Sequence, residues 1–76
     1  MKILEEPYRN ALRGDGITLA VFQREGGYLV TESRDGTVSV LATLGLFTSR
    51  EAALARAAAR GQELLRQGYR RAAIVQ

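Results

Sequence analysis

The sequence predicts an α+β fold: a three-stranded antiparallel meander, extendable by strands at either end of the chain, with one long C-terminal helix packed on one face. Three observations carry this prediction. Residues 17–44 contain three β-rich runs separated by glycine-bearing turns. Residues 48–67 form an Ala-rich stretch with apolar positions at helical spacing and signals at both ends. Apart from that helix, the 76 residues hold no linker, repeat or low-complexity run, so a single small domain over 1–76 is expected.

Residues 1–16 are the least determined. Ile3 and Leu4 fit the start of a strand, while Pro7 through Leu12 fit one or two helical turns closed by Gly14. In the helical alternative Leu4, Tyr8, Ala11 and Leu12 share a face. Gly14-Asp15-Gly16 ends the segment in either case.

The strand runs are ITLAVFQ (17–23), YLVTESR (28–34) and TVSVLATL (37–44). Asp35-Gly36 is a two-residue hairpin signal, because both central positions of such a turn need positive φ. Pairing across it sets Ser33 opposite Val38, Thr31 opposite Val40 and Leu29 opposite Ala42. The other face then pairs Arg34 with Thr37, Glu32 with Ser39 and Val30 with Leu41. At the first hairpin, a loop of two or four residues puts Ile17, Leu19 and Val21 on the face of Glu32 and Arg34. A three-residue loop, Glu25-Gly26-Gly27, puts them with Leu29, Val38 and Val40, and this coherent apolar face favours it. Phe22, Val30 and Leu41 then lie side by side on the opposite face, flanked by Ala20 and Tyr28. That second face needs a cover: the N-terminal segment, a second subunit or a ligand.

The helix start fits a capping box, with Thr48 as N-cap and Glu51 three residues on, preceded by Phe47 placed as a staple against Ala52. The helix is expected to run to about Gln67, where Gly68 supplies a left-handed residue and Tyr69 folds back onto Leu64. Its buried stripe reads Leu54, Ala57, Ala58, Gly61, Leu64 and Leu65. Ala58 and Gly61 keep the middle of that stripe slim, which allows close approach to the sheet. AAIVQ (72–76) either adds a final edge strand or lies along the helix.

Composition excludes several chemistries. With no Cys and no His there are no disulfides and no thiolate or imidazole metal sites, and the acids are too scattered for a carboxylate cation site. No cofactor or metal is expected. Catalysis would fall to Ser33, Ser39, Ser49, Tyr8, Tyr28, Tyr69 or the carboxylates, each of which has a structural role without an activating partner. The Gly-Asp-Gly and Glu-Gly-Gly stretches read as turns rather than phosphate loops. An enzyme and a small-molecule substrate are therefore not expected. No stretch is apolar enough to span a bilayer, and MKILEEPYR turns acidic after two apolar residues, so no membrane association is expected and a cytoplasmic location is.

Charge is distributed unevenly. The net charge is +3, yet five basic residues face six acids before Arg50, and six arginines face two acids from Arg50 onward. Arg56 and Arg60 lie one turn apart on the side away from Leu54 and Leu65. With Arg70 and Arg71 past the helix end they form a candidate phosphate-binding ridge, to which Arg34 is a weaker addition. The competing reading is a solvated face in which Glu63 pairs with Arg60 or Arg66 and the arginines suit the helix dipole. Phe22 and Tyr28 on the outer sheet face are candidate stacking platforms for bases, or simply packed.

Phe47, Ser49, Glu51, Ala52 and Ala53 at the helix start, with Gly68 and Tyr69 at its end, resemble the C-terminal half of WGR domains. The resemblance covers Phe47–Tyr69; the Trp-Gly-Arg tripeptide itself is not in the chain, where Ser33-Arg34-Asp35-Gly36 stands near the hairpin. It implies a helix on a small antiparallel sheet and nucleic-acid binding. Tyr28-Leu29-Val30 and Thr48-Ser49-Arg50-Glu51-Ala52 are more distantly similar to HicB-like antitoxin domains, which implies a protein partner. Two functions are thus expected to compete. One is a nucleic-acid-binding module using Arg34, Arg56, Arg60, Arg70 and Arg71. The other is a protein-interaction or homodimeric module using Phe22, Tyr28, Val30 and Leu41.

Overall fold

The computed structural model describes residues 1–34 and 41–72, with the backbone but not the side chain of Leu41. The elements in chain order are β1 (Lys2–Asn10), β2 (Asp15–Arg24), β3 (Gly27–Arg34), β4 (Leu41–Phe47), α1 (Arg50–Arg66) and β5 (Arg70–Arg71). The five strands form one sheet in the order β4-β3-β2-β1-β5, every neighbouring pair antiparallel. The α+β class and the meander hold, and the sheet is wider than three strands.

The N-terminal segment is a strand throughout, with no helical turn. β1 pairs with β2 from Lys2 opposite Phe22 to Asn10 opposite Asp15, with one irregularity between Lys2 and Leu4. Pro7 is tolerated because the N and O of one strand residue point to the same side. Its carbonyl accepts from the Ala72 N–H at 2.8 Å, so its missing donor faces the β5 side and not the β2 ladder. Asn10 then closes the turn: its Oδ1 accepts from the N–H groups of Leu12 (3.1 Å) and Arg13 (3.2 Å), and its carbonyl from Gly14 N–H at 2.8 Å. Since β1 extends the sheet sideways, it does not lie over the second face.

The first hairpin corrects the expected register. Arg24 pairs with Gly27, so the loop is the two residues Glu25-Gly26, with φ of +87° at Gly26. A positive φ at the second central position alone is the pattern of a type II turn. Leu19 therefore lies opposite Glu32 and Val21 opposite Val30. Apolar coherence argued for the other phase, but α1 supplies a cation that neutralises Glu32 on the face it covers. Arg60 Nε donates to Glu32 Oε1 at 2.6 Å and Nη2 to Oε2 at 3.3 Å.

The second hairpin is corrected too. The Asp35-Gly36 turn, Val38 and Val40 lie outside the described residues, but Ser33 pairs with Leu41, Thr31 with Thr43 and Leu29 with Leu46. A two-residue turn would have left Phe47 beyond the end of β3. The observed register instead pairs Phe47 with Tyr28 and brings Leu44 and Phe47 against the core. A bulge between Val30 and Thr31 accommodates Leu44 as the extra residue.

α1 starts one residue later than the capping box implied. β4 ends at Phe47, Thr48 lies in the bend that follows, and Ser49 is the N-cap, whose Oγ accepts from Ala52 N–H at 3.1 Å. The C-terminus is as expected. Gly68 sits at φ +98°, its N–H donates to Leu65 O at 3.2 Å, and Tyr69 N–H donates to Leu64 O at 3.0 Å, a Schellman motif with Tyr69 packed in the cluster of Leu64. The buried stripe is Ala53, Ala57, Gly61 and Leu64, with Leu54 and Leu65 partly buried and Ala58 exposed. Gly61 is required by proximity: a Cβ there would fall on the Tyr8 hydroxyl. The core has two parts, Tyr8, Ile17, Leu19, Leu64 and Tyr69 toward the helix C-terminus, and Val21, Val30, Ala53 and Ala57 toward its N-terminus. Among the described residues no helix is long and apolar enough to cross a membrane.

Candidate nucleic-acid interface

Four elements meet at one pole of the molecule. The Schellman turn ends α1 there, and Asn10 Nδ2 ties the β1–β2 turn to it by donating to Gln67 O at 3.4 Å. The Tyr69 hydroxyl donates to Asp15 Oδ2 at 2.9 Å, and Arg34 at the end of β3 approaches the same oxygen at 3.8 Å. β5 follows at once, setting Arg70 opposite Arg9 and Arg71 opposite Tyr8. Asp15 Oδ1 is buried with no partner among the described residues. Tyr69 is fully buried, and its phenol is raised above its ordinary value first by that burial and then by the hydrogen bond to Asp15.

The expected ridge does not form as drawn. Arg60 points toward the sheet, not away from it, with 18% of its side chain exposed, because Glu32 on the helix-covered face needs a counter-charge. Its guanidinium is held above its ordinary value chiefly by the hydrogen bond to Glu32. Arg56 lies 3.9 Å from Glu63, which also approaches Arg60 at 3.7 Å. The middle of α1 is therefore charge-balanced.

The other three expected arginines do gather at the pole, each already engaged. Arg34 shares Asp15 with Tyr69. Arg70 Nη1 donates to Leu65 O at 3.3 Å and Tyr69 O at 2.8 Å, covering carbonyls at the negative end of the helix. Arg71 reaches Glu6 at 3.0 Å and lies over the Tyr8 ring, 6.0 Å from its centroid. The hydrogen bond to Tyr8, then Glu6, raises its guanidinium.

Sequence reasoning missed Arg9, Arg13 and Arg66. Arg13 and Arg66 are exposed, and no carboxylate among the described residues pairs with either. The Asn10-to-Gly14 spacing was the available signal for a turn that projects Arg13; nothing in the sequence reported that Arg9 would face Arg70. The pole thus holds Arg9, Arg13, Arg34, Arg66, Arg70 and Arg71 against Asp15 and Glu6. Away from it, Lys2 pairs with Glu5 at 2.7 Å, Arg56 and Arg60 balance Glu32 and Glu63, and Arg24 and Arg50 each precede a glutamate in sequence. A cleft of 340 Å³ opens at the pole, lined by Arg9, Asn10, Ala11, Leu12, Gly68 and Arg70.

The expected partner face also changes. Val30 is fully buried in the cluster with Ala53 and Ala57, and Tyr28 packs against it on the helix side, so neither belongs to the outer face. The side chain of Leu41 lies outside the described residues. Phe22 does face outward, in a cross-strand row with Leu29 and Leu46, and Leu46 is 66% exposed. Lys2 and Arg24 stand 5.9 and 5.8 Å from the Phe22 ring centroid. The two-residue turn is the cause of both changes, since a one-residue shift exchanges the faces of a strand. Comparison of the chain with protein-family models, curated proteins and solved structures finds no match.

Proposed function

We propose that this protein is a non-enzymatic nucleic-acid-binding module that meets phosphates with its basic pole. The observation that carries the reading is the segregation of charge: away from the pole Lys2, Arg56 and Arg60 pair with acids and Arg24 and Arg50 are matched in number by Glu25 and Glu51, while the described residues of the pole include six arginines and two acids. Guanidinium groups match phosphate oxygens in a two-pronged geometry and stay charged at any working pH. Arg13 and Arg66 are the leading contacts because binding costs them no internal ion pair. Arg34, Arg70 and Arg71 are held in place by their own partners, and Arg56 and Arg60 are left out. Contacts of this kind position a backbone without reading its sequence.

The test is a salt titration of fluorescence anisotropy with mixed-sequence single and double strands, between about 50 and 200 mM salt. Binding is expected to weaken with a slope that the Arg13→Gln/Arg66→Gln double variant reduces by roughly two. Polyglutamate serves as a second anion. Equal affinity for it would reassign the pole to acidic proteins, and no oligonucleotide binding at low salt would overturn the reading.

A second reading, self-association, is favoured by one observation. β4 is an edge strand with no charged residue from Leu41 to Phe47, and the row Phe22, Leu29 and Leu46 runs out to that edge. An uncharged edge can pair with its own copy about a two-fold axis without repulsion. Sedimentation of the wild type and of Leu46→Lys tests it: a dimer that the lysine converts to a monomer is expected, and a wild type monomeric at high concentration would end this reading.

A further inference from the structure

The tip of the β1–β2 turn takes the charge argument to a particular contact. We propose that Leu12 is a wedge that enters a base step of double-stranded DNA while Arg13 beside it holds an adjoining phosphate; the inference rests on the nucleic-acid reading above. Three observations lead here. The first is exposure: Leu12 is 99% exposed and residues 11–14 are exposed throughout, so the tip projects into solvent.

The second is order. Asn10 is itself buried, and its Oδ1 accepts from the N–H groups of Leu12 and Arg13 while its carbonyl accepts from Gly14 N–H. Its Nδ2 donates to Gln67 O, which anchors the turn to the end of α1. An apolar side chain held out in one place loses little freedom when it enters a partner. Of the other large apolar side chains exposed among the described residues, Met1 begins the chain and Leu46 belongs to the cross-strand row with Leu29. The third is charge. Neither 7–14 nor 64–72 contains an acid, and Arg13 and Arg66 are exposed with no carboxylate partner among the described residues.

A leucine among cations fits a duplex better than the alternatives. It has no π-face on which the bases of a single strand could stack. A membrane surface calls for a larger apolar area than one side chain, and the other tip residues are Ala11, Arg13 and Gly14. Between stacked base pairs, one branched aliphatic side chain fills the opened step and kinks the duplex, while cations beside it meet the backbone. A step already loosened by a mismatch opens with less cost than a paired one, so the wedge also predicts a preference.

The experiment mixes the full chain with a duplex of about 20 base pairs carrying a fluorophore at each end, either fully paired or with one central mismatch. Energy transfer between the ends is expected to rise on binding, and the mismatched duplex to bind about tenfold tighter than the paired one. Leu12→Ala should abolish the rise and reduce the preference to about twofold without changing the salt slope, whereas Leu12→Phe should keep both. Arg13→Gln should weaken both duplexes alike and lower the slope by about one. Leu12 lies outside the core, so its variants should keep the wild-type far-UV dichroism. A Leu12→Ala variant that bends and selects as the wild type does, with binding still weakened by Arg13→Gln/Arg66→Gln, would overturn the wedge and leave the basic pole standing. Equal affinity for a single strand and for the mismatched duplex would do the same. Binding of phosphatidylserine vesicles that Leu12→Ala abolishes, with no bending of DNA, would reassign the tip to a membrane surface. No oligonucleotide binding at low salt would overturn both readings.

Discussion

Replacing Arg60 with methionine tests whether this arginine belongs to the core or to a ligand. Its fork holds Glu32 at 2.6 and 3.3 Å, with 18% and 11% of the two side chains exposed. Breaking a fully buried pair costs about 3–5 kcal/mol, because one charge is left without compensation. An exposed pair is worth about 0–1 kcal/mol after solvent screening. The small remaining exposure places this pair between those limits, so Arg60→Met is expected to cost about 2 kcal/mol. That is a large fraction of the roughly 4–11 kcal/mol available to a chain of this length. Glu32→Met should cost a similar amount, and the double variant should recover most of it by burying methionine against methionine. Urea unfolding of the four species gives the coupling directly. If Arg60→Met lost less than about 0.5 kcal/mol, as Arg56→Gln is expected to, the pair would be a surface contact. Arg60 would then not be what allows Glu32 to face the helix in the β2–β3 register.

Three further outcomes are expected. Gly61→Ala places a methyl on the Tyr8 hydroxyl, so overpacking of about 1–3 kcal/mol should outweigh a helix-propensity gain of about 1 kcal/mol, read by thermal unfolding. Gly68→Ala forces a Cβ into a backbone at φ +98° and should cost about 1 kcal/mol while leaving far-UV dichroism unchanged. The Tyr69 phenol is raised above its unfolded value of 10.0, so its contribution is complete below that pH and is lost as pH rises through the folded value. Base titration followed by tyrosinate absorbance should show a late-titrating tyrosine that disappears in Tyr69→Phe.

The parts of the fold legible in sequence are those fixed by local rules. Gly68 followed by Tyr69 specified the helix end because a left-handed residue and a returning apolar one suffice for a Schellman motif. Ile17, Leu19 and Val21 specified a strand by alternation. The register between strands failed for a definite reason. Glu25-Gly26 is not one of the dipeptides that mark a two-residue hairpin, and the choice of apolar phase assumed that no carboxylate would face the helix. Arg60 lies 28 residues from Glu32, and nothing local reports their pairing. β1 was hidden by Pro7, whose missing donor is harmless only on the side where β5 arrives from the far end of the chain.

The candidate site was legible as a quantity of charge and not as a place. Counting arginines treats Arg56, Arg60, Arg66 and Arg70 as equivalent helix-end cations. The fold gives them different work: Arg60 neutralises Glu32 under the helix, Arg56 shares Glu63, and Arg70 covers the carbonyls of Leu65 and Tyr69. Only Arg66 of these four faces solvent without a partner among the described residues. The same folding step ties the β1–β2 turn, which carries Arg13 from the opposite end of the sequence, to the helix end through Asn10 and Gln67. Tertiary pairing thus removes charge from the predicted ridge and concentrates it around the β1–β2 turn. The residues that decide whether this surface binds an anion are therefore those whose charge the fold leaves unbalanced, and their positions follow from strand pairing rather than from helical periodicity.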